Sequence, residues 1–417
     1  MLVYKFGGAS VKDANAVRQL KNIIQYSNEK LLIVISAMGK TTNRLEEILA
    51  NAFRNDASHL ALIQKLKSVH ITLIEELFDD PEDIRIEIDE IFSKIKHNCS
   101  ELKPGNYNFA YDQIVSFGEI LSTKIVSAFL NNEEISNKWV DIRQVFKTDS
   151  NYRDSNIHIE ETSKRTLEAF NFSQTQNFIT QGFIASDLDE NTTTLGREGS
   201  DYTAALLASI LKAKNVTLWK DVAGIYNADP ALFRDVVLLK ELKYQEMIEL
   251  AFYGARVIHP KTLKPLKEKG IPLYVKSFSD PDKEGTIIFE NAFSNSKVPV
   301  YILKDKQVLI SISLRDLSFV AEEHISRLFS LLDKFRLKAN VIQHSAVSFS
   351  VCVDIPLGKE IEDLIGILKL DFKVLYNKGL QLLTIRNYLE ADVQKMISGK
   401  KIYIEQRSRN TVQFVTD

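Results

Sequence analysis

The first 36 residues constrain the fold most strongly, because they alternate two short apolar runs with one amphipathic segment. Leu2–Phe6 and Leu31–Ser36 have the character of buried strands, and Asp13–Tyr26 between them has helical periodicity. A strand, a helix and a second strand in this order indicate a βαβ unit with parallel strands. The alternation continues to about residue 290, interrupted by a helical subdomain over about 58–130. The sequence therefore predicts an α/β domain built on a mainly parallel sheet.

The first strand ends in Lys5-Phe6-Gly7-Gly8, which is an unusual ending because adjacent glycines weaken a strand. Glycine pairs usually mark a place where the backbone takes positive φ or is approached closely by another group. With a lysine beside them, one candidate for that group is a phosphate. Taken alone, this tetrapeptide is about as often an ordinary turn.

Three further stretches follow predicted strands and contain glycine with polar residues. "SAMGKTTN" spans Ser36–Asn43, where a helix N-terminus could bind an anion. "TTTLGREGSDYTAALLA" spans Thr192–Ala208, and Ser200 or Asp201 can cap its apolar helix. "WKDVAGIYNADP" spans Trp219–Pro230 and places an acid and a turn after a strand.

Open α/β sheets bind ligands beyond the carboxyl ends of their strands, so these stretches could contribute to a single site. The side chains that such a site would collect are Lys5, Ser36, Arg197, Asp201 and Asp221. Cations, carboxylates and glycine-lined backbone amides are the groups that phosphoryl transfer requires. Each stretch also has a purely structural interpretation: Ser200 and Asp201 are more often a helix cap, and Glu119 would ordinarily be a solvated helix residue. The combination of four such stretches favours a catalytic site.

The composition excludes several other classes of function. The chain is 45% hydrophobic and 26% charged, with a formal net charge of -2, which gives no indication of a nucleic-acid or membrane partner. The longest apolar runs are strand-sized, and no signal-like segment precedes the first strand. Cys99 and Cys352 lie far apart and the seven histidines are scattered, so we predict no metal-ligating residues and a reduced, cytoplasmic setting.

After the polar segment "ENAFSNSKVPV" the pattern changes, and a second domain is predicted over 300–417. Its predicted strands are 308–313, 339–343, 348–353, 370–375 and 380–385, and its predicted helices are 320–335 and 361–368. The order β-α-β-β-α-β is typical of a ferredoxin-like unit. Between residues 388 and 402 there is room for only a short helix, so a second such unit would be shortened.

Seven motifs together resemble those of aspartate kinases, which belong to the amino-acid kinase superfamily. They are "KFGGASV", "SAMGKTTN", "VSFGEILST", "ITQGFIASD", "TTTLGREGSDYTAALLA", "DVAGIYNADP" and "YGARVIHPKTL", in family order over residues 1–290. The resemblance implies a catalytic domain over 1–290 with helices on both faces of its sheet, followed by paired ACT-type regulatory units. It also implies transfer of the ATP γ-phosphoryl group to the β-carboxylate of L-aspartate, with Mg²⁺, as the first step of lysine, threonine and methionine synthesis.

By the same resemblance, each motif residue receives an expected role. Lys5 would stabilise the transferring phosphoryl group, and Asp201 would organise that lysine or the metal-bound phosphates. Arg197 would hold the substrate α-carboxylate and Glu119 the α-ammonium group. The further expected substrate contacts are Ser36, Thr42 and Ser200, and the expected nucleotide contacts are Gly7, Gly8, Lys220, Asp221, Tyr226 and Arg256.

Some positions depart from the family pattern. Glu198 in "GREGSD" replaces a glycine beside the expected phosphate path, and we expect its side chain to face solvent or a metal. Ala231 stands where an arginine is common. These departures keep open a catalytically inactive amino-acid sensor, and the superfamily keeps open an enzyme acting on glutamate, carbamate or a nucleotide. Glu119 with Arg197 favours a free α-amino acid.

The resemblance of the C-terminal part to ACT units implies a homodimer and an amino-acid effector. Asn340 and His344 occupy places where the lysine-sensing pattern has aspartate and threonine, so the sequence leaves the effector open.

Overall fold

The computed structural model of the chain describes residues 1–255, 257–292, 298–316, 318–355 and 361–417. These residues form two compact units. Of the described residues, the first unit contains 1–225, 238–248 and 257–292, and the second contains 226–237, 249–255, 298–316, 318–355 and 361–417.

The strands up to residue 292 are β1 (Leu2–Phe6), β2 (Leu31–Ile35), β3 (Lys138–Val140), β4 (Asn177–Gln181), β5 (Ile184–Ser186), β6 (Thr192–Thr194), β7 (Val216–Lys220), β8 (Glu241–Leu242), β9 (Leu273–Ser277) and β10 (Thr286–Ile288). The helices in this part are α1 (Ala14–Gln25), α2 (Thr41–Phe53), α3 (Ser58–Leu77), α4 (Glu82–Ser100), α5 (Tyr107–Val115), α6 (Phe117–Asn132), α7 (Ile159–Ala169), α8 (Gly199–Ile210), α9 (Tyr244–Tyr253) and α10 (Pro260–Lys269). Short 3₁₀ turns cover Gly8–Val11 and Ile142–Gln144.

Eight of these strands form one sheet in the order β3-β4-β2-β1-β7-β9-β10-β8. All neighbouring strands are parallel except β9 and β10. The βαβ opening predicted from the sequence is confirmed: Asp13 caps α1 by accepting a hydrogen bond from the Ala16 amide at 2.8 Å, and every residue of β2 is buried. β4 and β5 are two separate strands, because Phe183 between them has a left-handed backbone (φ 71°).

The helical subdomain predicted from the sequence consists of α3 to α6. The continuous helical stretch Tyr107–Asn132 is long and apolar enough to cross a membrane by length and composition. However, 83% of its most apolar window is buried inside the fold. This burial is typical of a core helix in a globular protein.

The second unit contains one antiparallel sheet in the order β12-β13-β11-β14-β16-β15. Its elements are β11 (Val300–Ser313), α11 (Glu322–Lys334), β12 (Ala339–His344), β13 (Ser348–Asp354), α12 (Glu362–Asp371), β14 (Lys373–Arg386), α13 (Glu390–Ile397), β15 (Ile402–Arg407) and β16 (Thr411–Thr416). The ferredoxin-like order is confirmed, and α13 is short, as predicted. One detail is wrong: the two strands predicted over 370–375 and 380–385 are a single strand, β14, and residues 370 and 371 end α12.

The long strands β11 and β14 explain how one sheet serves two ferredoxin-like units. The C-terminal half of β11 pairs with β13, whereas its N-terminal half pairs with the end of β14, which also pairs with β16. The register shifts between Lys304 and Leu309, and Lys306 takes a left-handed backbone there (φ 57°). This irregularity separates the two halves of the sheet.

Candidate active site

The carboxyl ends of three neighbouring strands bring the sequence motifs together. β1 lies between β2 and β7, with Phe6 opposite both Ile35 and Trp219. The segments that follow these strands therefore begin side by side at one edge of the sheet. The Ser36 amide donates to the Phe6 carbonyl at 3.1 Å, and the Gly39 amide donates to the Gly8 carbonyl at 2.9 Å.

Asp201 joins two lysines from adjacent strands. One carboxylate oxygen lies 2.7 Å from Lys5 Nζ, and the other lies 3.0 Å from Lys220 Nζ. Lys220 also donates to the Val257 carbonyl at 2.6 Å. Asp201 is 2% exposed and is held in the first turn of α8. The arrangement fixes two ammonium groups around one carboxylate, so these three side chains together carry a net positive charge.

The charge state of Asp201 follows from this arrangement. Burial alone would raise its pKa, but the ammonium groups of Lys5 and Lys220 hold the pKa below its ordinary value. Asp201 is therefore ionised at neutral pH and keeps both lysines in place.

The two glycines after β1 have different structural roles. A Cβ on Gly8 would lie 2.6 Å from the Ala37 carbonyl oxygen, so Gly8 permits close packing against the segment that follows β2. A Cβ on Gly7 would meet only Lys5 Nζ, at 3.7 Å. Neither residue has positive φ. Gly8 therefore packs the two loops together, whereas Gly7 leaves space beside the lysine ammonium group.

Glu119 is buried, although its sequence context is that of a solvated helix residue. It lies in the first turn of α6, is 3% exposed, and accepts a hydrogen bond from the Ala37 amide at 3.4 Å through Oε1. Its other oxygen, Oε2, is buried and has no hydrogen-bond partner among the described residues. Burial raises the pKa of Glu119 to about 8, an effect that the nearby Lys5 charge only partly offsets. A buried carboxylate with a free oxygen is suited to receive a cationic group from a ligand.

The prediction that Ser200 or Asp201 caps α8 is wrong. Glu198 occupies the N-cap position with a left-handed backbone (φ 54°) and makes no side-chain cap. Ser200 is buried in the first turn and packs against Gly182, where an added Cβ would lie 2.5 Å from that of Ser200. Asp201 is thereby free to pair with the two lysines.

Glu198 is only partly as expected. Its side chain is half-buried, and Oε2 is buried without a hydrogen-bond partner among the described residues, so the expectation of a fully solvent-facing carboxylate is wrong. Its charge acts on His259, which caps α10 by accepting from the Lys261 amide at 3.2 Å. The second alternative, a carboxylate that faces a metal, stays a prediction.

The remaining predicted site residues differ in their surroundings. Ser36 and Thr42 are half-buried beside the first two motifs. Arg197 is exposed, without an ion-pair partner among the residues that the structure describes, and Asp221 is exposed after β7. Tyr226 is half-buried in the second unit. Arg256 lies outside the described residues.

Sequence reasoning missed Asp112, a fully buried acid in α5. It accepts hydrogen bonds from the Thr194 amide at 2.9 Å, the Thr194 hydroxyl at 2.7 Å and the Arg153 amide at 3.0 Å. Burial raises its pKa to about 6. Asp112 therefore fixes the strand that leads to Arg197. Only its position two helical turns before Glu119 could have suggested this role.

The described residues offer no complete protein cage for a metal, since they contain no group of three or more His, Cys, Asp or Glu side chains in suitable positions. Mg²⁺ commonly binds through one or two carboxylates together with substrate phosphates. The free, buried Oε2 of Glu198 is an oxygen donor of the kind such an arrangement requires.

Comparison with known proteins identifies the family. Residues 1–277 match the Amino acid kinase family. The chain is 30% identical over 361 residues to lysine-sensitive aspartokinase 3 of Escherichia coli, covering 85% of this chain and 78% of that protein. It is 32% identical over 364 residues to the chloroplastic aspartokinase 1 of Arabidopsis thaliana, covering 84% of this chain and 63% of that protein.

Solved structures agree with the sequence relatives. E. coli aspartokinase III in complex with aspartate and ADP has a TM-score of 0.84 and 27% identity, covering 100% of this chain and 96% of that chain. The same enzyme in complex with lysine and aspartate has a TM-score of 0.83.

The chain belongs to the amino acid kinase family. Within it, the chain is related to the aspartokinases, and the resemblance predicted from the sequence is confirmed. The predicted fold class, a mainly parallel sheet followed by ACT-type units, is confirmed as well.

Proposed function

We propose that this protein is an ATP-dependent aspartate kinase. A β-carboxylate oxygen of L-aspartate attacks the γ-phosphorus of ATP, the bond to the bridging oxygen breaks, and 4-phospho-L-aspartate and ADP form. The buried Glu119 carboxylate carries this proposal, because its Oε2 has no hydrogen-bond partner among the described residues and would pair with the α-ammonium group of an amino acid. The product enters lysine, threonine and methionine synthesis.

Two charges of opposite sign distinguish the ends of the amino acid. Glu119 would bind the α-ammonium group, and Arg197 would bind the α-carboxylate, for which its planar guanidinium is suited. Arg197 is exposed and has no protein ion pair to break among the described residues. The hydroxyl groups of Ser36, Thr42 and Ser200 are the further proposed contacts.

The phosphoryl group would lie where Lys5 and Lys220 meet Asp201. Phosphoryl transfer depends mainly on positioning and on neutralisation of spread negative charge. Lys5 would neutralise the transferring group beside the open space at Gly7, and Asp201 would hold both ammonium groups in position. The other proposed nucleotide contacts are Gly8, Asp221, Tyr226 and Arg256.

Mg²⁺ would neutralise charge on the phosphates of ATP. Glu198, with its free carboxylate oxygen, is the residue that could help to hold the ion.

A hydroxamate assay tests the proposed reaction. The purified chain is incubated with ATP, Mg²⁺ and hydroxylamine, which traps acyl phosphates, and with L-aspartate, L-glutamate or carbamate as acceptor. We expect hydroxamate with aspartate and at least tenfold less with glutamate, because one extra methylene displaces the reacting carboxylate. Product with glutamate or carbamate alone would indicate another enzyme of the superfamily, and no product would favour a catalytically inactive sensor.

We further propose that the ACT-type units form a homodimer and sense an amino acid. β12 is an edge strand of the six-stranded sheet, and an exposed edge is suited to pairing with a second copy. The Asn340 amide already bonds Lys304 Nζ at 3.0 Å and the Gln307 side chain at 2.9 Å, whereas His344 is exposed. An effector at this strand would therefore meet His344 more readily than Asn340.

A cytoplasmic location is proposed on the basis of the thiols. Cys99 and Cys352 are both free and buried. Burial raises the pKa of Cys99 to about 11, so this thiol is unreactive. Two free thiols that form no disulfide are typical of a reducing compartment.

A further inference from the structure

A groove of about 670 Å³ lies on the face of the eight-stranded sheet, within the first unit. Its floor is formed by strands β1, β7 and β9, and its sides by α1 and by the segment 281–284. Six of the lining residues carry the following argument: Tyr4, Asn215, Thr217, Trp219, Tyr274 and Lys276. None of these is a predicted substrate or nucleotide contact.

The floor of the groove is aromatic. Tyr4 and Trp219 are in edge-to-face contact, with ring centroids 5.7 Å apart and an interplanar angle of 78°. Tyr274, at the matching position on β9, pairs with Thr217 across the sheet. Flat ligands bind such surfaces because ring faces and edges attract one another.

Two residues that line the groove each have a buried polar atom without a partner among the described residues. Trp219 is 5% exposed, and its indole Nε1 donor makes no hydrogen bond. The side-chain oxygen of Asn215 is also buried and unpaired. A buried donor and a buried acceptor without partners are unfavourable, and most proteins satisfy both. A ligand that accepts from one and donates to the other would remove this penalty.

Lys276 supplies a positive charge in the groove. Its ammonium group lies 5.5 Å from the centre of the Trp219 ring and has no carboxylate within ion-pair distance among the described residues. Of the two acids in the lining, Glu284 is already paired with Lys240 at 2.7 Å, and Asp282 is exposed to solvent. The available cation therefore selects an anionic group on the ligand.

We infer that this groove is a second ligand site, which binds a small aromatic carboxylate that also carries a hydrogen-bond donor. The ring would lie against Tyr4 and Trp219, the carboxylate would face Lys276 and the indole donor, and the donor would face Asn215. The site is separate from Lys5 and Lys220, which act at the carboxyl ends of the same strands.

The two tryptophans of the chain allow a direct test. Trp139 lies elsewhere, with Nε1 donating to the Thr123 hydroxyl at 3.0 Å, and the Trp139→Phe variant leaves Trp219 as the sole tryptophan. The full-length variant is titrated with 4-hydroxybenzoate, saturated with ADP and L-aspartate throughout. We expect a saturable change in Trp219 emission with a Kd of about 1 mM or below.

Matched probes and variants define the chemistry. Cyclohexanecarboxylate lacks the flat ring and 4-hydroxybenzyl alcohol lacks the charge, so each should bind at least about tenfold more weakly. Lys276→Met should weaken 4-hydroxybenzoate binding by about tenfold, whereas Lys269→Met, at an exposed lysine that does not line the groove, should leave it unchanged. Absence of a saturable signal would overturn the inference. Equal binding to the Lys276→Met and Lys269→Met variants would do the same.

Discussion

At the scale of single residues, the site depends on how Asp201 shares its carboxylate between two lysines. Lys5 and Lys220 come from neighbouring strands, and each contacts a different oxygen of Asp201. Two lysine ammonium groups in this position repel each other, and the buried carboxylate between them compensates for that repulsion. The ammonium group of Lys5, in β1, is therefore fixed at this position before any ligand binds.

Lys5→Met should reduce kcat by about 10²–10³-fold or more, because the transferring phosphoryl group loses its neutralising charge. Thermal unfolding of the variant should remain cooperative, because Lys220 still forms an ion pair with Asp201. Lys30→Met, at an exposed lysine before β2, is the matched control and should retain full activity. Steady-state kinetics that placed the Lys5→Met variant within a few-fold of the natural chain would remove Lys5 from the mechanism.

Glu198→Gly should stabilise the protein. A left-handed backbone destabilises a non-glycine residue in the folded state by about 1–2 kcal/mol, and glycine removes this cost. Glycine also has more conformational freedom in the unfolded chain, which lowers the free energy of unfolding by roughly 0.4–1 kcal/mol. The substitution also removes a buried oxygen that has no hydrogen-bond partner in the described part of the chain. We expect the free energy of unfolding to rise by about 1 kcal/mol, measured by urea denaturation.

The same Glu198→Gly variant distinguishes the possible roles of that carboxylate. Kinetics at varied Mg²⁺ should show a higher Mg²⁺ requirement if Glu198 helps to hold the ion. An unchanged requirement would exclude that role, and a large gain in activity would instead favour the sensor hypothesis for the natural chain.

At the scale of elements, loops that follow neighbouring strands pack directly on one another. Gly8 contacts the backbone after β2, Gly182 contacts the first turn of α8, and Asp112 of α5 binds the backbone of β6. These contacts would position the proposed catalytic side chains, although none of them is made by Lys5 or Asp201.

Gly7→Ala and Gly8→Ala should therefore behave differently. The Gly8 substitution places a methyl group 2.6 Å from a backbone oxygen, and overpacking of this kind should lower the free energy of unfolding by about 1–3 kcal/mol. The Gly7 substitution meets no backbone, so stability should change little while kcat falls. Denaturation and kinetics on both variants check this, and equal loss of stability in the two would contradict the distinction.

Asp112→Asn should weaken the support of β6. An amide cannot accept all three hydrogen bonds, so we expect a loss of about 2 kcal/mol in unfolding free energy. Because Thr194 lies three residues before Arg197, the KM for aspartate should rise more than the KM for ATP. Asp189→Asn, at an exposed acid in the preceding turn, is the control. An equal rise in both KM values would mean that Asp112 has only a general structural role.

At the scale of the whole molecule, the sequence predicted the elements well where periodicity determines them. The βαβ opening, the helical subdomain and the ferredoxin-like order are confirmed, because apolar spacing reports which face of an element is buried. The error over β14 arose because the apolar spacing is broken in the middle of the strand. β14 belongs to both ferredoxin-like units, and its polar middle resembles a turn.

The site was predictable only in part. Glycine, lysine and acid patterns at strand ends indicated the four segments, because their chemistry is local. The burial of Glu119, the left-handed backbone of Glu198 and the hydrogen bonds of Asp112 depend on contacts between residues distant in sequence. Local patterns do not contain that information, so the pattern alone gave Ser200 or Asp201 as a helix cap, and only the family resemblance placed Asp201 beside Lys5.

The linkage of aspartate binding to the ionisation of Glu119 follows from its burial. Its pKa is about 8 in the ligand-free protein, above the ordinary value of 4.5, so the carboxyl group is mostly protonated at pH 7. The folded state therefore retains this proton longer than the unfolded state does, and stability falls as the pH rises from about 4.5 to 8. An ammonium group beside Glu119 favours the ionised form, so aspartate binding at pH 7 should expel the proton.

Calorimetric titration of L-aspartate at pH 7, in two buffers of different ionisation enthalpy, measures that proton directly. We predict release of about one proton by the natural chain, declining towards zero at pH 9. Glu119→Gln should release none and should bind aspartate at least about tenfold more weakly. Equal proton release by the natural chain and the Glu119→Gln variant would contradict the proposal that Glu119 receives the substrate ammonium group.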